Sequence, residues 1–244
     1  MSVLIEVCID SLESLPIAQT AGAGRIELCS SLATGGLTAS AGYMKQAARV
    51  ATIPVYAIIR PREGDFLYSS HDVDIMLEDI HTAKNAGLNG VVIGALAADG
   101  KIDEVAVKAM ISAASGMGIT FHRAIDHCVA PFDALEFLMS HNVERVLTSG
   151  LAKRADESIQ TLKDMVQLTQ GRLSIMPGAG VSPENAKRII TETGATEIHL
   201  SGKTTRASLM TYRNEKATMG NGESDFDITV TSPDIIQQTV LALK

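Results

Sequence analysis

The chain has no tryptophan, only five phenylalanines and four tyrosines, and three cysteines in 244 residues. With so few rings, the 45% of the sequence that is hydrophobic is mainly aliphatic, and any core must be packed from Ile, Leu, Val, Ala and Met. Three cysteines do not make a disulfide framework. A chain of this length buries roughly three quarters of its unfolded surface and needs no such staples. Positive charge is also short: 21 Lys and Arg stand against 28 Asp and Glu, a net charge of −7. That balance argues against a nucleic-acid partner held through its phosphates. No apolar run reaches the ~20 residues that cross a bilayer. The opening SVLIEVCID reads as a strand and not as an export signal. The expectation is a cytoplasmic protein in a reducing compartment, with no membrane and no nucleic acid among its partners.

What is present is a repeat of strand and helix. Short β-branched runs recur as LIEVCID, RIELCS, PVYAIIR, GVVIGAL, ITFHRAI, RVLTSG, LSIMPG and EIHLS, eight in all, each followed by a segment of helical period. After Tyr68, residues Val73, Met76, Leu77, Ile80 and Ala83 share one face, Ser70 is placed to cap, and Gly87 stands where a helix ends. Ser182-Pro183 and Ser232-Pro233 start two further helices. Strand–helix alternation demands crossovers and hence a parallel sheet. Eight units in this length predict an α/β fold, a single-domain (β/α)₈ barrel over residues 1–244. One stretch breaks the rhythm: Lys203 to Thr231 shows no helical period and contains the loop-like MGNGESD. A long segment there, between the eighth strand and the last helix, is expected over the barrel mouth or as an interface arm.

Barrel chemistry sits at the C-terminal ends of the strands. Polar residues collect there: Glu6, Cys8 and Asp10; Glu27 and Cys29; Arg60; His122, Arg123 and Asp126; Thr148 and Ser149; His199 and Ser201. Glu6 and Glu27 lie inside β-runs among apolar neighbours, where a carboxylate needs a partner. Arg60, Arg62 and Arg123 are the cations expected to neutralise them, unless the arginines bind a ligand directly. The first two strands echo each other as Ile5-Glu6-Val7-Cys8 and Ile26-Glu27-Leu28-Cys29. Two thiols at like positions on adjacent strands suit a soft ion such as Cu(I), although buried cysteines also simply pack. FHRAID sets His122 beside Arg123 and Asp126, an arrangement able to move protons. His199 could join His122 and a glutamate around a divalent ion, but no HExxH-type spacing is present. MPGAGV places Gly178 and Gly180 after the seventh strand, where barrels hold phosphate; the glycines serve equally as turn residues.

With IEVCIDS, RIELCSSLATGGLT, IIRPREGDFLYS, TFHRAID, RVLTSG, IMPGAGV and MTYRNEKATMG, the sequence resembles the CutC copper homeostasis family along essentially its whole length. The resemblance implies a (β/α)₈ barrel, a cytoplasmic homodimer, and copper handling with Cu(I) at Cys8 and Cys29. Two positions depart from the family pattern: Glu63 and Ala179 each replace a glycine. Two functions are therefore expected. One is Cu(I) binding through Cys8 and Cys29. The other is an enzyme acting on a small anionic or phosphorylated metabolite. In it Arg60 and Arg62 take the anion, His122 and Asp126 move protons, and Gly178 and Gly180 cradle phosphate.

Overall fold

The computed structural model describes residues 3–214, 217, 219 and 225–244. Eight short parallel strands form the barrel: β1 (Leu4–Ile9), β2 (Arg25–Leu28), β3 (Val55–Ile58), β4 (Gly90–Ile93), β5 (Gly118–Phe121), β6 (Arg145–Thr148), β7 (Ser174–Pro177) and β8 (Glu197–Leu200). They pair in the order β7-β6-β5-β4-β3-β2-β1-β8, and β7 lies beside β8 to complete the ring. Residues of both parities are buried along nearly every strand, because one face meets the helices and the other fills the barrel.

The helices are α1 (Ser14–Ala21), α2 (Ala41–Val50), α3 (Ser70–Ala86), α4 (Glu104–Ala113), α5 (Pro131–Ser140), α6 (Ile159–Thr169), α7 (Pro183–Thr193) and α8 (Pro233–Ala242). In α3 the expected stripe is inward, with Met76, Ile80 and Ala83 buried, and Gly87 closes the helix at φ 86°. The cap is Ser69, one residue before the serine expected from the sequence. Ser69 is the residue with extended backbone, and it forms a reciprocal capping box with Asp72.

The stretch after β8 is a two-stranded antiparallel ribbon, β9 (Lys203–Ala207) with β10 (Asp227–Thr231). Its threonines and Ile228 and Val230 are strand formers; the lack of a helical period concealed them. The MGNGESD stretch lies mostly outside the described residues. Arg206 clamps the ribbon to Glu13 at 2.7–2.8 Å, and the Thr231 N–H donates to Ser14 Oγ at 3.0 Å. The ribbon therefore stands on the rim beside the β1–α1 turn. Lys203 is the one described residue of the ribbon that lines the barrel mouth. No helix among the described residues is long and apolar enough to cross a membrane.

Candidate functional site

Strand register decides which side chains meet inside the barrel. β1 and β2 pair with Glu6 opposite Arg25 and Cys8 opposite Glu27. On the other side of β1, Glu6 is opposite His199. The two Ile-Glu-x-Cys segments are thus staggered by two residues, and Glu27, not Cys29, is the neighbour of Cys8. Inward-facing atoms of Cys8, Glu27 and His199 lie within 4.8 Å of one another. Cys29 sits one step further along β2, its Sγ 3.6 Å from Glu27 Oε2. Gly36 covers it closely enough that a Cβ there would come 3.2 Å from the sulfur.

Below this cluster lies a network of charge that is buried except at Glu144. Arg25 bridges Glu6 and Glu197, and Arg145 reaches Glu197 at 3.1 Å and Glu144 at 3.0 Å. Tyr56 lies under both guanidinium groups, and its hydroxyl donates to Glu144 at 3.0 Å. Glu6, fully buried, also meets His199 Nδ1 at 2.8 Å. Burial alone would raise the Glu6 pKa. The hydrogen bond from His199 and the charge of Arg25 outweigh it and hold the carboxyl at about 2. Glu27 has no arginine bonded to it, only His199 Nε2 at 3.7 Å: burial, helped by the charge of Glu6 and opposed mainly by His199, pushes it up to about 6. Burial opposes protonation of His199, but Cys8, Glu6 and Glu27 together raise its pKa well above the usual imidazole value. The Cys8 thiol is pushed up chiefly by burial, with His199 pulling the other way. The Cys29 thiol is pushed higher, by burial and then by Glu27.

Above the cluster opens a cavity of about 650 Å³ at the C-terminal mouth, bordered by Cys8, Glu27, Arg60, His122, Arg123 and His199. Several expected site residues take other positions. No arginine expected to neutralise Glu6 or Glu27 does so. Arg60 donates to the backbone carbonyls of Thr34, Gly36 and Gly64 at 2.9–3.0 Å, tying two mouth loops together. Arg62 lies outside the cavity lining, paired with Asp65 at 2.8 Å and stacked on Tyr68. Asp126 accepts hydrogen bonds from Thr148 Oγ1, from Ser149 N and Oγ, and from Arg123 Nε. It anchors the β5 and β6 exits and does not line the cavity.

His122 does line it. Its Nδ1 accepts from the Ala124 N–H at 3.1 Å, which places the ring proton on Nε2. Burial and the nearby charge of Arg60 lower its pKa to about 3, so the ring is neutral. In the β7 loop, Gly180 borders the cavity and Gly178 does not. A Cβ on Gly178 would meet Leu147 at 2.5 Å, so this glycine permits close packing. Ala179 borders the cavity at φ 73°, a left-handed conformation that an L-residue adopts under strain.

Sequence reasoning missed Arg25, Arg145 and Glu197. A usable signal existed: Arg25 shares strand parity with Glu27 and Cys29, and Glu197 shares it with His199. Charged residues at inward parity on neighbouring strands point to a paired network, not to separate rim groups.

The structure thus defines a (β/α)₈ barrel whose mouth gathers a thiol, an imidazole and a carboxylate over a floor of paired charges. Comparison with known proteins narrows this class. The sequence model of the CutC family matches residues 3–204. A CutC family protein of Photobacterium profundum is 54% identical over 245 residues, covering all of both chains. One from Vibrio cholerae El Tor is 53% identical over 246 residues, covering all of this chain and 97% of its own. The crystal structure of a Streptococcus agalactiae CutC protein, named for copper homeostasis, is 32% identical with a TM-score of 0.78. That likeness covers 82% of this chain and 98% of the other. Phosphoribosyl anthranilate isomerase of Thermotoga maritima shares the fold alone, at 12% identity and a TM-score of 0.58 over 99% of this chain and 98% of its own. The chain belongs to the CutC family.

Proposed function

We propose that the protein binds a soft metal ion, Cu(I), at the Cys8–Glu27–His199 cluster, with Cys29 as the second thiol. The observation that carries this reading is the convergence of Cys8 and His199 on one cavity wall, with Glu6 fixing the imidazole from behind. A carboxylate on the far nitrogen of a metal-binding histidine orients the ring and raises its basicity. Thiolate and imidazole are the donors that copper accepts most readily, and Glu27 is the hardest and weakest of the set. A reducing cytoplasm, which keeps the cysteines as thiols, is the compartment this reading requires.

The test is a Cu(I) titration against a competing chelator. Cys8→Ser removes most of the affinity and Cys29→Ser lowers it further. Binding weakens as pH falls, because Cys8 and His199 must each give up a proton to become ligands. A Cys8→Ser/Cys29→Ser variant that binds as tightly as wild type overturns the reading.

A second reading is favoured by the size of the cavity, about 650 Å³, which far exceeds the room an ion needs and matches small-molecule sites. Here the protein is an enzyme acting on a small anionic metabolite drawn in by Arg60 and Lys203. Metabolites that raise the melting temperature would identify it. The homodimer implied by the family would place its interface at the ribbon, beyond which Leu209, Met210 and Tyr212 are exposed. Light scattering of wild type and a Leu209→Ser/Met210→Ser variant tests that arrangement.

A further inference from the structure

Among the described residues, three buried polar atoms of the cavity lining have no hydrogen-bond partner: Glu27 Oε1, Arg60 Nε and His122 Nε2. Copper binding engages Glu27 at most and leaves the other two unexplained. A donor buried without a partner is costly, more so when charged, and each such group in a folded protein calls for a reason. Arg60 is only 6% exposed and has no carboxylate partner among the described residues; its other nitrogens face neutral carbonyls. The Tyr68 hydroxyl beside it is close enough to feel its charge but brings none of its own. Water entering the cavity would satisfy the N–H groups but would not neutralise the guanidinium. The Arg60 guanidinium lies 5.4 Å from the centre of the Phe66 ring, and the His122 ring lies 4.9 Å from that same centre. The two donors therefore flank one aromatic wall.

We infer that this wall is a subsite for the carboxylate of a small organic acid. Arg60 Nε–H and His122 Nε2–H donate to its oxygens, and a hydroxyl on the same molecule donates to Glu27 Oε1. The donor count favours a carboxylate over a phosphate. At this wall two N–H groups and the single charge of Arg60 match a singly charged, two-oxygen group. A phosphate dianion would bring a second negative charge toward Glu27 and leave acceptors unmatched. Arg123 cannot supply the missing charge, because Asp126 and Ser149 already hold it. This inference deepens the second reading above by naming the ligand class, and it does not depend on copper.

The experiment uses metal-free protein titrated with glycolate, L-lactate, acetate and inorganic phosphate. Binding is followed by calorimetry and by the ¹⁵N resonance of His122 Nε2. Glycolate or lactate is expected to bind and to shift that resonance, with acetate weaker because it lacks the hydroxyl. His122→Leu weakens binding about ten-fold or more, the loss of one hydrogen bond to a charged group. His122→Gln, whose amide nitrogen can take the place of Nε2, restores it in part. No shift at His122 with any acid overturns the inference, and this readout is made in wild type, so it stands even where a variant folds poorly. Phosphate binding tighter than the acids, or a folded His122→Leu that binds as wild type does, overturns it as well. Acid binding without any turnover removes the enzyme reading and leaves the subsite in place. Failure of copper binding is read in the separate chelator assay.

Discussion

Replacing Arg25 with methionine should be among the most damaging single changes in the barrel. Arg25 is 3% exposed and bridges Glu6, which is fully buried, to Glu197. Methionine fills similar volume without charge, so the variant leaves Glu6 with His199 alone. Removing one partner of a buried ion pair costs about 3–5 kcal/mol. The titration of Glu6 sets a bound: it titrates at about 2 instead of 4.5, a difference worth about 3 kcal/mol of stability at neutral pH that His199 and Arg25 share, with the His199 hydrogen bond the larger lowering cause. The sign follows from linkage: a carboxyl whose pKa is depressed by folding contributes above its unfolded value, and the contribution is lost as pH falls from about 4.5 toward 2. Urea unfolding of wild type and Arg25→Met should therefore differ by about 3–5 kcal/mol at pH 7, and by much less near pH 2.5. Arg25→Met/Glu6→Gln should recover a substantial part of the loss, since the stranded charge is gone. A loss under about 1 kcal/mol at pH 7, or one that is the same at both pH values, would refute the claim that Arg25 holds Glu6 ionised.

Two further outcomes test other parts of the mouth. Glu27 titrates at about 6 in the fold against 4.5 unfolded, so its ionisation opposes folding and stability falls as pH rises through that window. Glu27→Gln should then be more stable than wild type at pH 7.5 by up to about 2 kcal/mol and indistinguishable at pH 4.5; thermal unfolding at the two pH values checks this. Ala179 at φ 73° carries a left-handed strain of roughly 1–2 kcal/mol, which glycine would relieve at a smaller entropic cost in the unfolded chain. Ala179→Gly should raise stability by about 1 kcal/mol in urea unfolding, and a lowered midpoint would contradict it.

The barrel was legible because its signals are local. Each strand–helix unit announces itself in a few residues: a serine at a helix start, placed one residue late at Ser70 and correctly at Ser182, Gly87 or Gly194 at its end, and a β-branched run between. The ribbon was not legible as strands. β9 is polar and largely exposed and shows no hydrophobic alternation, and the alternation of Ile228 and Val230 in β10 spans only five residues. Its tie to the body depends on Arg206 meeting Glu13, residues 193 positions apart.

The site was legible by residue type but not by neighbourhood, and the reason is the stagger of a closed sheet. Cys8, Glu27, His122 and His199 all stand out as polar groups at strand ends, and all four border the cavity. The echoed Ile-Glu-x-Cys segments invite the alignment of cysteine with cysteine and glutamate with glutamate. A barrel must shear its strands to close, and here the shear slides β2 by two residues against β1. Parity survives a slide of two, so every inward residue stays inward while each one changes its partner. Glu6 moves off Glu27 and onto Arg25, and Cys8 moves off Cys29 and onto Glu27. That slide keeps two buried carboxylates from facing each other, and it gives Glu6 a cation while Glu27 keeps one oxygen free for the cavity. The floor that holds charge and the wall that offers ligands to a guest are thus made from one repeated motif, separated by register alone.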